Sequence, residues 1–486
     1  MTDATLKDKT VKGIGWSALE NVLRISVSFL VSIILARLLS PEEYGLIGIL
    51  TIFISIFEAI ADSGFTNALI RKQNVTDTDY STVFYTNLGL SILLASILFL
   101  CAKPISVFFE RQVLVSLTQT MSSIVILNAL SLVQRARMIK AIDFKTQTKI
   151  TFISSIGSGS IGVAMAFMGY GVWALVGQQI SNQFLSTLFF WIYSKWIPKL
   201  NFSLTSFREM WTFGSKLLAS SLIDTAWKEI YQVVIGKCYS PATLGLYTRA
   251  KQFSSLFSSN LTSVIQRVSY PVLSSIQDDG KRLKHAYKKV IKTAMLTSSV
   301  LMLGMAAVAR PMVQVLIGDQ WLGCVPFLQI VCISGVLYPL HAINLNMLQV
   351  QGRSDLFLKL EIIKKLIAIG PLLLGIFVDI YWMLCGSVLT NIAAFYFNAY
   401  YSGPFLNYSI KEQVKDILPS LGVAVAMVVP VFAMCFIPIN PFLLLPLQIL
   451  SGAIIVITIC EVTNLPEYFE IKGIAIPIIN KVIKRK

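Results

Sequence analysis

The chain has 486 residues, of which 55% are hydrophobic and only 14% are charged, and its mean hydropathy is +0.70. A water-soluble domain cannot bury that much apolar surface, so the composition excludes an ordinary soluble protein and indicates a lipid bilayer. The formal net charge of +16 first suggests a nucleic-acid partner, but the distribution of the basic residues argues against it.

A membrane-spanning helix needs about 20 mostly apolar residues, and the sequence predicts fourteen such helices. In chain order the predicted spans lie near 14–36, 45–69, 83–102, 113–134, 150–169, 172–194, 213–236, 246–266, 293–309, 322–350, 360–378, 380–402, 416–436 and 442–461. The connections between them are short and leave no room for a catalytic domain outside the membrane. We therefore predict an all-α polytopic membrane protein.

The basic residues collect in alternate connections between the spans. If the N-terminus is cytoplasmic, 31 of the 41 lysines and arginines lie on the cytoplasmic side, five lie outside and five lie within spans. By the positive-inside rule this distribution predicts that both termini are cytoplasmic. Membrane topology explains the positive charge, so no nucleic-acid partner is expected.

A short motif recurs after an interval of 200 residues. Residues 40–46 (SPEEYGL) and 240–246 (SPATLGL) share serine, proline, glycine and leucine at matching positions. Each copy lies between two long apolar runs, which indicates a duplicated six-helix unit. The predicted lobes are residues 1–200 and 201–405, followed by two further spans and a basic cytoplasmic tail in 406–486. In transporters such a duplication places the substrate site between the halves.

The longest connection, about residues 267–292, is rich in lysine and arginine. Leu283, Tyr287, Val290 and Ile291 recur within it at helical spacing. This pattern is typical of an amphipathic helix on an anionic lipid surface. A solvated connector between the two lobes is an equally good interpretation.

Polar residues inside spans are costly in lipid unless they face protein or water. In predicted spans one, two, seven and eight they recur every three or four residues and so share one face of each helix. These spans open each lobe, as expected if four helices line a shared aqueous cavity. The residues on these faces that we select as candidate site residues are Arg24, Glu58, Asp62, Lys216, Asp224, Trp227, Lys228 and Arg249.

Arg24 and Arg249 are the strongest candidates for binding an anionic substrate, because a guanidinium holds phosphate oxygens through two hydrogen bonds and stays charged. Lys228 and Lys216 come next, although a lysine near an interface also extends its ammonium group to water without binding a ligand. Trp227 is a candidate for stacking on a sugar, and packing is the simpler interpretation.

Asp62, Glu58 and Asp224 are candidates for coupling transport to protons or sodium ions, since intramembrane carboxylates often serve in relays. Pairing with basic residues explains them equally well, because Asp224 and Lys228, for example, are four residues apart. The sequence leaves both interpretations open.

The sequence has no Gly-x-x-x-x-Gly-Lys phosphate loop, no metal-ligand spacing and no nucleophile motif. Its seven cysteines are scattered, without a Cys-x-x-Cys pair. We therefore expect a transporter with no cofactor, metal or ATP site, and no enzyme. A proton or sodium gradient, or the membrane potential, is then the expected energy source.

Short motifs along nearly the whole chain carry a family resemblance. They are KGIGWS (12–17), AR (36–37), SP and YG (40–45), DSGF (62–65), Arg267, YP (270–271), IQDD (276–279) and GDQW (318–321). In this order and with this span layout, the chain resembles the polysaccharide flippases of the multidrug/oligosaccharidyl-lipid/polysaccharide (MOP) exporter superfamily. The subgroup that it resembles is the colanic-acid-exporter-like lipopolysaccharide biosynthesis proteins.

The resemblance implies two six-helix lobes around a cationic lumen in the bacterial inner membrane. By alternating access, such a flippase moves undecaprenyl-diphosphate-linked oligosaccharide from the cytoplasmic to the periplasmic leaflet. The implied partners are this lipid-linked glycan, membrane lipids and the polysaccharide polymerase machinery. The alternatives are a cation-coupled drug or metabolite antiporter and a lipid-linked peptidoglycan-precursor flippase.

Overall fold

The computed structural model describes residues 23, 25–62 and 64–483, and these residues form helices without any strand. The predicted all-α fold class is confirmed. Contacts within the chain divide it into two compact units, unit 1 (Met1–Gly245) and unit 2 (Leu246–Lys486).

Unit 1 is built from ten helices and the first turn of an eleventh. They are α1 (Ile25–Leu38), α2 (Pro41–Asp62), α3 (Phe65–Arg71), α4 (Asp77–Leu100), α5 (Ala102–Phe108), α6 (Leu114–Met121), α7 (Ser123–Lys140), α8 (Phe144–Phe167), α9 (Val172–Ser194), α10 (Leu204–Cys238) and the start of α11 (Pro241–Ser275).

Unit 2 continues from α11 with helices of very different lengths. They are α12 (Gly280–Ala307), α13 (Ala309–Leu316), α14 (Val325–Gly335), α15 (Tyr338–Val350), α16 (Ser354–Ile367), α17 (Ile369–Phe377), α18 (Ile380–Ser402), α19 (Ile410–Ala433), α20 (Pro441–Val462) and α21 (Pro466–Ile483), with short 3₁₀ turns at Asp319–Cys324, Gly403–Leu406 and Met434–Phe436.

Side-chain caps fix where several helices begin. At the start of α4, Thr76 accepts a hydrogen bond from the backbone N–H of Asp79, whose carboxylate accepts one in return. At the start of α19, the Ser409 side chain accepts a hydrogen bond from the backbone N–H of Glu412. These caps satisfy N–H groups that the first helical turn leaves without a partner, so they set the boundaries between span and connection.

The predicted count of fourteen spans is only partly supported. Nine helical segments of the described chain are long and apolar enough to cross a membrane. The other five predicted spans do not meet these criteria. One falls on α1, which is only partly described, and three fall on the more polar helices α9, α10 and α11. The fifth covers α16 and α17, two short helices that are separated at Ala368. Fourteen crossings therefore stay a prediction.

The predicted lobe boundary near residue 200 follows the sequence repeat, and the division into lobes also stays a prediction. By spatial contact the chain divides later, after Gly245. The reason is that α10, the first helix of the predicted second lobe, packs against α2, α3 and α4 of unit 1.

The segment predicted as a basic connection, about residues 267–292, is mostly helix: α11 continues to Ser275 and α12 begins at Gly280. Gly280 begins the long helix α12, and Leu283, Tyr287 and Ile291 on it are completely buried within unit 2. The Tyr287 hydroxyl donates a hydrogen bond to the Asn344 side chain of α15. The helical period was predicted correctly, but protein covers the apolar face, where either lipid or solvent was expected.

The two copies of the repeated motif contact each other inside unit 1. Gly45 is in the second turn of α2 and Gly245 in the second turn of α11. A methyl group added at Gly45 would lie 1.7 Å from the carbonyl oxygen of Pro241, and one added at Gly245 would lie 1.8 Å from that of Pro41. This reciprocal contact requires glycine at both positions, which explains why the motif retains it in both copies.

We predict that Gly45→Ala and Gly245→Ala each lower the free energy of unfolding by about 1 to 3 kcal/mol, because the added methyl group overlaps backbone atoms. Thermal unfolding in detergent measures the effect. Gly89→Ala is the matched control, since Gly89 lies inside α4 with no atom within 4 Å of the added carbon. It should be neutral or stabilising by up to about 1 kcal/mol. Unchanged unfolding of Gly45→Ala would contradict the reciprocal contact.

Candidate functional site

Unit 2 contains an apolar cleft of about 490 Å³ between α11, α12, α13, α19 and α20. We call it the membrane cleft, because α12, α19 and α20 all belong to candidate membrane spans. Its walls are formed by Phe257, Val300, Leu301, Gly304, Met305, Val308, Met312, Met427, Val431, Gln448, Ile449, Gly452, Ala453, Val456 and Ile457. A pocket of this size and apolar character is suited to a hydrocarbon chain.

Small residues determine the shape of the membrane cleft. A carbon added at Gly304 would lie 3.3 Å from the Met427 methyl group, and one added at Gly452 would lie 3.5 Å from the Met427 sulfur. The two glycines therefore leave room for the methionine, a flexible side chain that adapts to irregular apolar ligands.

Gln448 is the one amide in the wall of the membrane cleft as described. It is completely buried, and its Nε2 donates a hydrogen bond of 2.8 Å to the carbonyl oxygen of Val431, which joins α20 to α19. Its Oε1 has no hydrogen-bond partner among the described residues. Gln448 is therefore a buried polar contact between the two helices in an otherwise apolar wall.

The predicted residues on α2 lie in unit 1 and have partners there. Glu58 makes a side-chain hydrogen bond with Asn128 of α7 and interacts electrostatically with Arg135. Asp62, at the end of α2, accepts a hydrogen bond from the Thr66 hydroxyl. Both carboxylates are partly exposed. For these two carboxylates, pairing with basic residues and ion coupling both stay predictions.

The predicted residues on α10 lie on its exposed surface. Asp224 and Lys228 form an ion pair of 3.9 Å, with side chains that are 56% and 73% exposed. Trp227 beside them is partly buried. Lys216 belongs to α10, but its side chain lies outside the described part of the structure. An exposed pair of this kind contributes little to stability.

Arg249, a leading candidate for anion binding, lies inside unit 2. It is only 3% exposed, its Nη1 donates to the Gln252 side chain at 2.7 Å, and its guanidinium lies 5.2 Å from the centre of the Trp321 ring. In this conformation Arg249 is therefore a packing residue. Arg24, the other leading candidate, lies outside the described residues. Binding of an anion by either arginine stays a prediction.

Sequence reasoning missed the membrane cleft altogether. It treated α19 and α20 as additional spans outside the duplicated unit and searched only the charged faces. The available signal was Gln448, a polar residue in an otherwise strongly apolar helix, together with Gly304 and Gly452 on apolar helices.

Known proteins match most of this chain. A family described as "Polysaccharide biosynthesis protein" matches residues 34–326. The lipopolysaccharide biosynthesis protein WzxC of Escherichia coli (strain K12) is 25% identical over 374 residues, which is 76% of each chain. The succinoglycan biosynthesis transport protein ExoT of Rhizobium meliloti (strain 1021) is 26% identical over 69% of this chain and 68% of its own length.

Two solved structures show the same fold. The lipid II flippase MurJ in an inward closed conformation aligns with a TM-score of 0.75 at 14% identity, covering 92% of this chain and 98% of that one. An inward-facing multidrug resistance MATE family transporter of the MOP superfamily aligns with a TM-score of 0.59 at 15% identity, covering 80% and 99%. At such identities the likeness concerns the fold alone.

We predict that Arg249→Ala lowers the free energy of unfolding by about 2 to 4 kcal/mol, since it removes a buried guanidinium from Trp321 and from Gln252. Lys228→Ala is the control for an exposed cation and should cost less than about 1 kcal/mol. Thermal unfolding in detergent distinguishes the two. Equal, small losses for both variants would show that Arg249 is exposed in solution.

Proposed function

We propose that this chain, which belongs to the polysaccharide biosynthesis protein family, is a flippase for lipid-linked oligosaccharide. Its substrate in this proposal is a repeat unit joined through diphosphate to a polyprenol such as undecaprenol. The flippase moves it by alternating access from the cytoplasmic to the periplasmic leaflet of a bacterial inner membrane. Relatives named for lipopolysaccharide biosynthesis and for succinoglycan transport support this substrate class.

The membrane cleft is the observation that carries the proposal. A diphosphate-linked sugar loses several kcal/mol for each polar group left without a hydrogen bond in hydrocarbon, whereas the polyprenyl chain is soluble there. A carrier for such a substrate needs an apolar site at membrane depth for the chain, separate from an aqueous path for the headgroup. The wall of Val300, Met427 and Ile457 supplies an apolar site of this kind.

The headgroup path in this proposal uses the predicted polar faces. Arg24, Lys216, Lys228 and Arg249 attract the diphosphate, and Arg249 does so in a conformation in which its guanidinium has left Trp321. Trp227 stacks on a sugar ring. Asp62, Glu58 and Asp224 are the groups that proton or sodium coupling would use.

The direction of transport follows from charge. Basic side chains crowd one end of unit 2, where Lys284 and Lys288 contact Glu412. By the positive-inside rule, we assign this end to the cytoplasm, with both termini on that side. An anion that moves outward from a negative interior gains about 2.3 kcal/mol per charge for each 100 mV. The membrane potential therefore favours export without ATP, and polymerase machinery outside is the expected recipient.

We predict that Gly452→Leu abolishes transport of a lipid-linked glycan without unfolding the protein, because the leucine fills the membrane cleft while the added Cβ itself meets only ordinary contacts of 3.4 to 3.6 Å. The assay uses proteoliposomes and a polyprenyl-diphosphate oligosaccharide with a fluorescent sugar, whose movement to the outer leaflet an impermeant quencher reports. Gly422→Leu is the matched control, since Gly422 is exposed on α19 with no atom within 4 Å of the added carbon.

A quencher signal that is the same with and without the folded protein would refute the flippase. Transport of a soluble cationic drug by the same preparation would then favour the antiporter. Normal transport by Gly452→Leu would refute only the role of the membrane cleft. It would not refute the proposal that the protein is a flippase.

We also predict that an imposed potential, negative on the side from which the substrate leaves, accelerates this transport. Valinomycin with a potassium gradient sets the potential, and collapse of proton and sodium gradients in parallel samples isolates its effect. A transport rate that responds to neither the potential nor the ion gradients would contradict the electrical driving force.

A further inference from the structure

A second cleft lies in unit 2 where α18 ends and α19 begins, and we call it the interfacial cleft. It encloses about 640 Å³, and its lining includes Tyr396, Tyr400, Pro404, Asn407 and Lys411. The two helices belong to consecutive candidate membrane spans, so the turn between them lies at a membrane surface. The proposed transport of a lipid-linked glycan assigns no role to this cleft.

An apolar stripe on α18 leads into the interfacial cleft. Leu389, Ile392, Tyr396 and Tyr400 are spaced by three or four residues, so they share one face, and each is more than half exposed. The two tyrosine rings stack at 6.3 Å with an interplanar angle of 18°. From Leu389 to Tyr400 the helix rises about 16 Å, roughly half of a hydrocarbon core of about 30 Å. The stripe therefore matches the depth of one lipid leaflet, with Tyr400 at headgroup level.

Two exposed lysines lie at the start of α19, and the first of them, Lys411, lines the interfacial cleft together with these tyrosines. Lys411 and Lys415 are four residues apart on the first turns of α19 and so share a face. Neither forms an ion pair with a carboxylate in the described part of the chain. Tyrosine at the interface and lysine next to it are the side chains that face lipid headgroups in membrane proteins.

Two other cations near the interfacial cleft are already neutralised. Lys284 and Lys288 pair with Glu412 at 3.3 Å and 2.7 Å, and Lys288 also pairs with Asp416 at 3.1 Å. Lys359 lies 5.2 Å from the Tyr401 ring. Among the lysines at the start of α19, the excess of positive charge comes from Lys411 and Lys415, and Lys411 lines the cleft itself.

Arg353 on the same end of unit 2 is neutralised as well. Its Nε and Nη2 donate to the two carboxylate oxygens of Asp355 at 2.9 Å and 2.7 Å. These hydrogen bonds lower the pKa of Asp355 to about 2. The carboxylate stays ionised at physiological pH and compensates Arg353 throughout.

We propose that the interfacial cleft binds an anionic phospholipid. Lys411 and Lys415 hold its phosphate, the hydroxyl groups of Tyr396 and Tyr400 face its glycerol backbone, and an acyl chain follows Leu389 and Ile392. A phospholipid fits better than a free anion, because the cleft continues into an apolar stripe that only a hydrocarbon chain would cover. The inference does not depend on which substrate the protein transports.

The test is native mass spectrometry of the purified full-length protein in detergent, with phosphatidylglycerol or phosphatidylcholine of identical acyl chains added. We expect retention of phosphatidylglycerol in preference to phosphatidylcholine. The double variant Lys411→Gln/Lys415→Gln should bind phosphatidylglycerol roughly 30-fold more weakly, from the loss of two cations near the headgroup. Tyr400→Ala, an independent variant that keeps the charge, should also weaken retention.

Lys281→Gln/Arg282→Gln is the matched control, because both residues are exposed at the start of α12, on the same basic end of unit 2. It removes the same charge and should change retention less than about 3-fold. Equal retention of the two lipids would overturn the proposal, as would an equal loss in this control. Displacement of the lipid by millimolar inorganic phosphate would show that the cleft takes free anions, which also overturns it.

Discussion

Hydrocarbon offers no hydrogen bonds, and most features of this protein follow from that constraint. Every polar group at membrane depth needs a partner within the chain. In the serine-rich helix α11, Ser259 and Thr262 donate to the carbonyl oxygens of Ser255 and Ser258, one turn earlier. Hydroxyl groups of this helix can therefore be satisfied by its own backbone.

The same constraint concentrates charge at the helix ends. The cations at the start of α12 meet the carboxylates at the starts of α19 and α21, as in the pairs Lys288–Glu412 and Lys289–Glu470. These contacts tie α19 and the final helix α21 to α12 of unit 2. Deeper in the unit the walls are apolar, and Gln448 contributes a rare polar contact. Unit 2 thus has two clefts of different character. The membrane cleft is apolar and suits a hydrocarbon chain, and the interfacial cleft has an exposed lysine and suits a charged headgroup.

Sequence reasoning succeeded where a local pattern has one physical cause. The length and apolarity of the segments predicted helices, and the period of Leu283, Tyr287 and Ile291 predicted a helix with one apolar face. The repeated proline and glycine at an interval of 200 residues marked positions of equivalent structure. Gly45 and Gly245 indeed make equivalent contacts, each against the proline of the other copy.

A pattern tells which face a residue is on but not what covers that face. For the apolar face of α12 the sequence left lipid and solvent open, and protein buries Leu283, Tyr287 and Ile291. Arg249 shares a stripe with serines, which suggested an aqueous cavity, and in this structure its guanidinium packs on Trp321; its role in anion binding stays a prediction. Helical periodicity is identical for a face against lipid, water or protein, because it arises from the geometry of one helix.

By itself the sequence determined that this is an all-helical membrane protein with a repeated motif, basic ends and the features of polysaccharide exporters. These features follow from composition, period and spacing, which are properties of single segments. Only the tertiary structure decided which side chains meet: the reciprocal glycines, the buried arginine and the membrane cleft around Met427 and Gln448. Those contacts join residues from 17 positions apart (Gln448 and Val431) to 204 positions apart (Gly245 and Pro41) in the chain. Packing of whole helices brings such residues together, and no local pattern in the sequence encodes that packing.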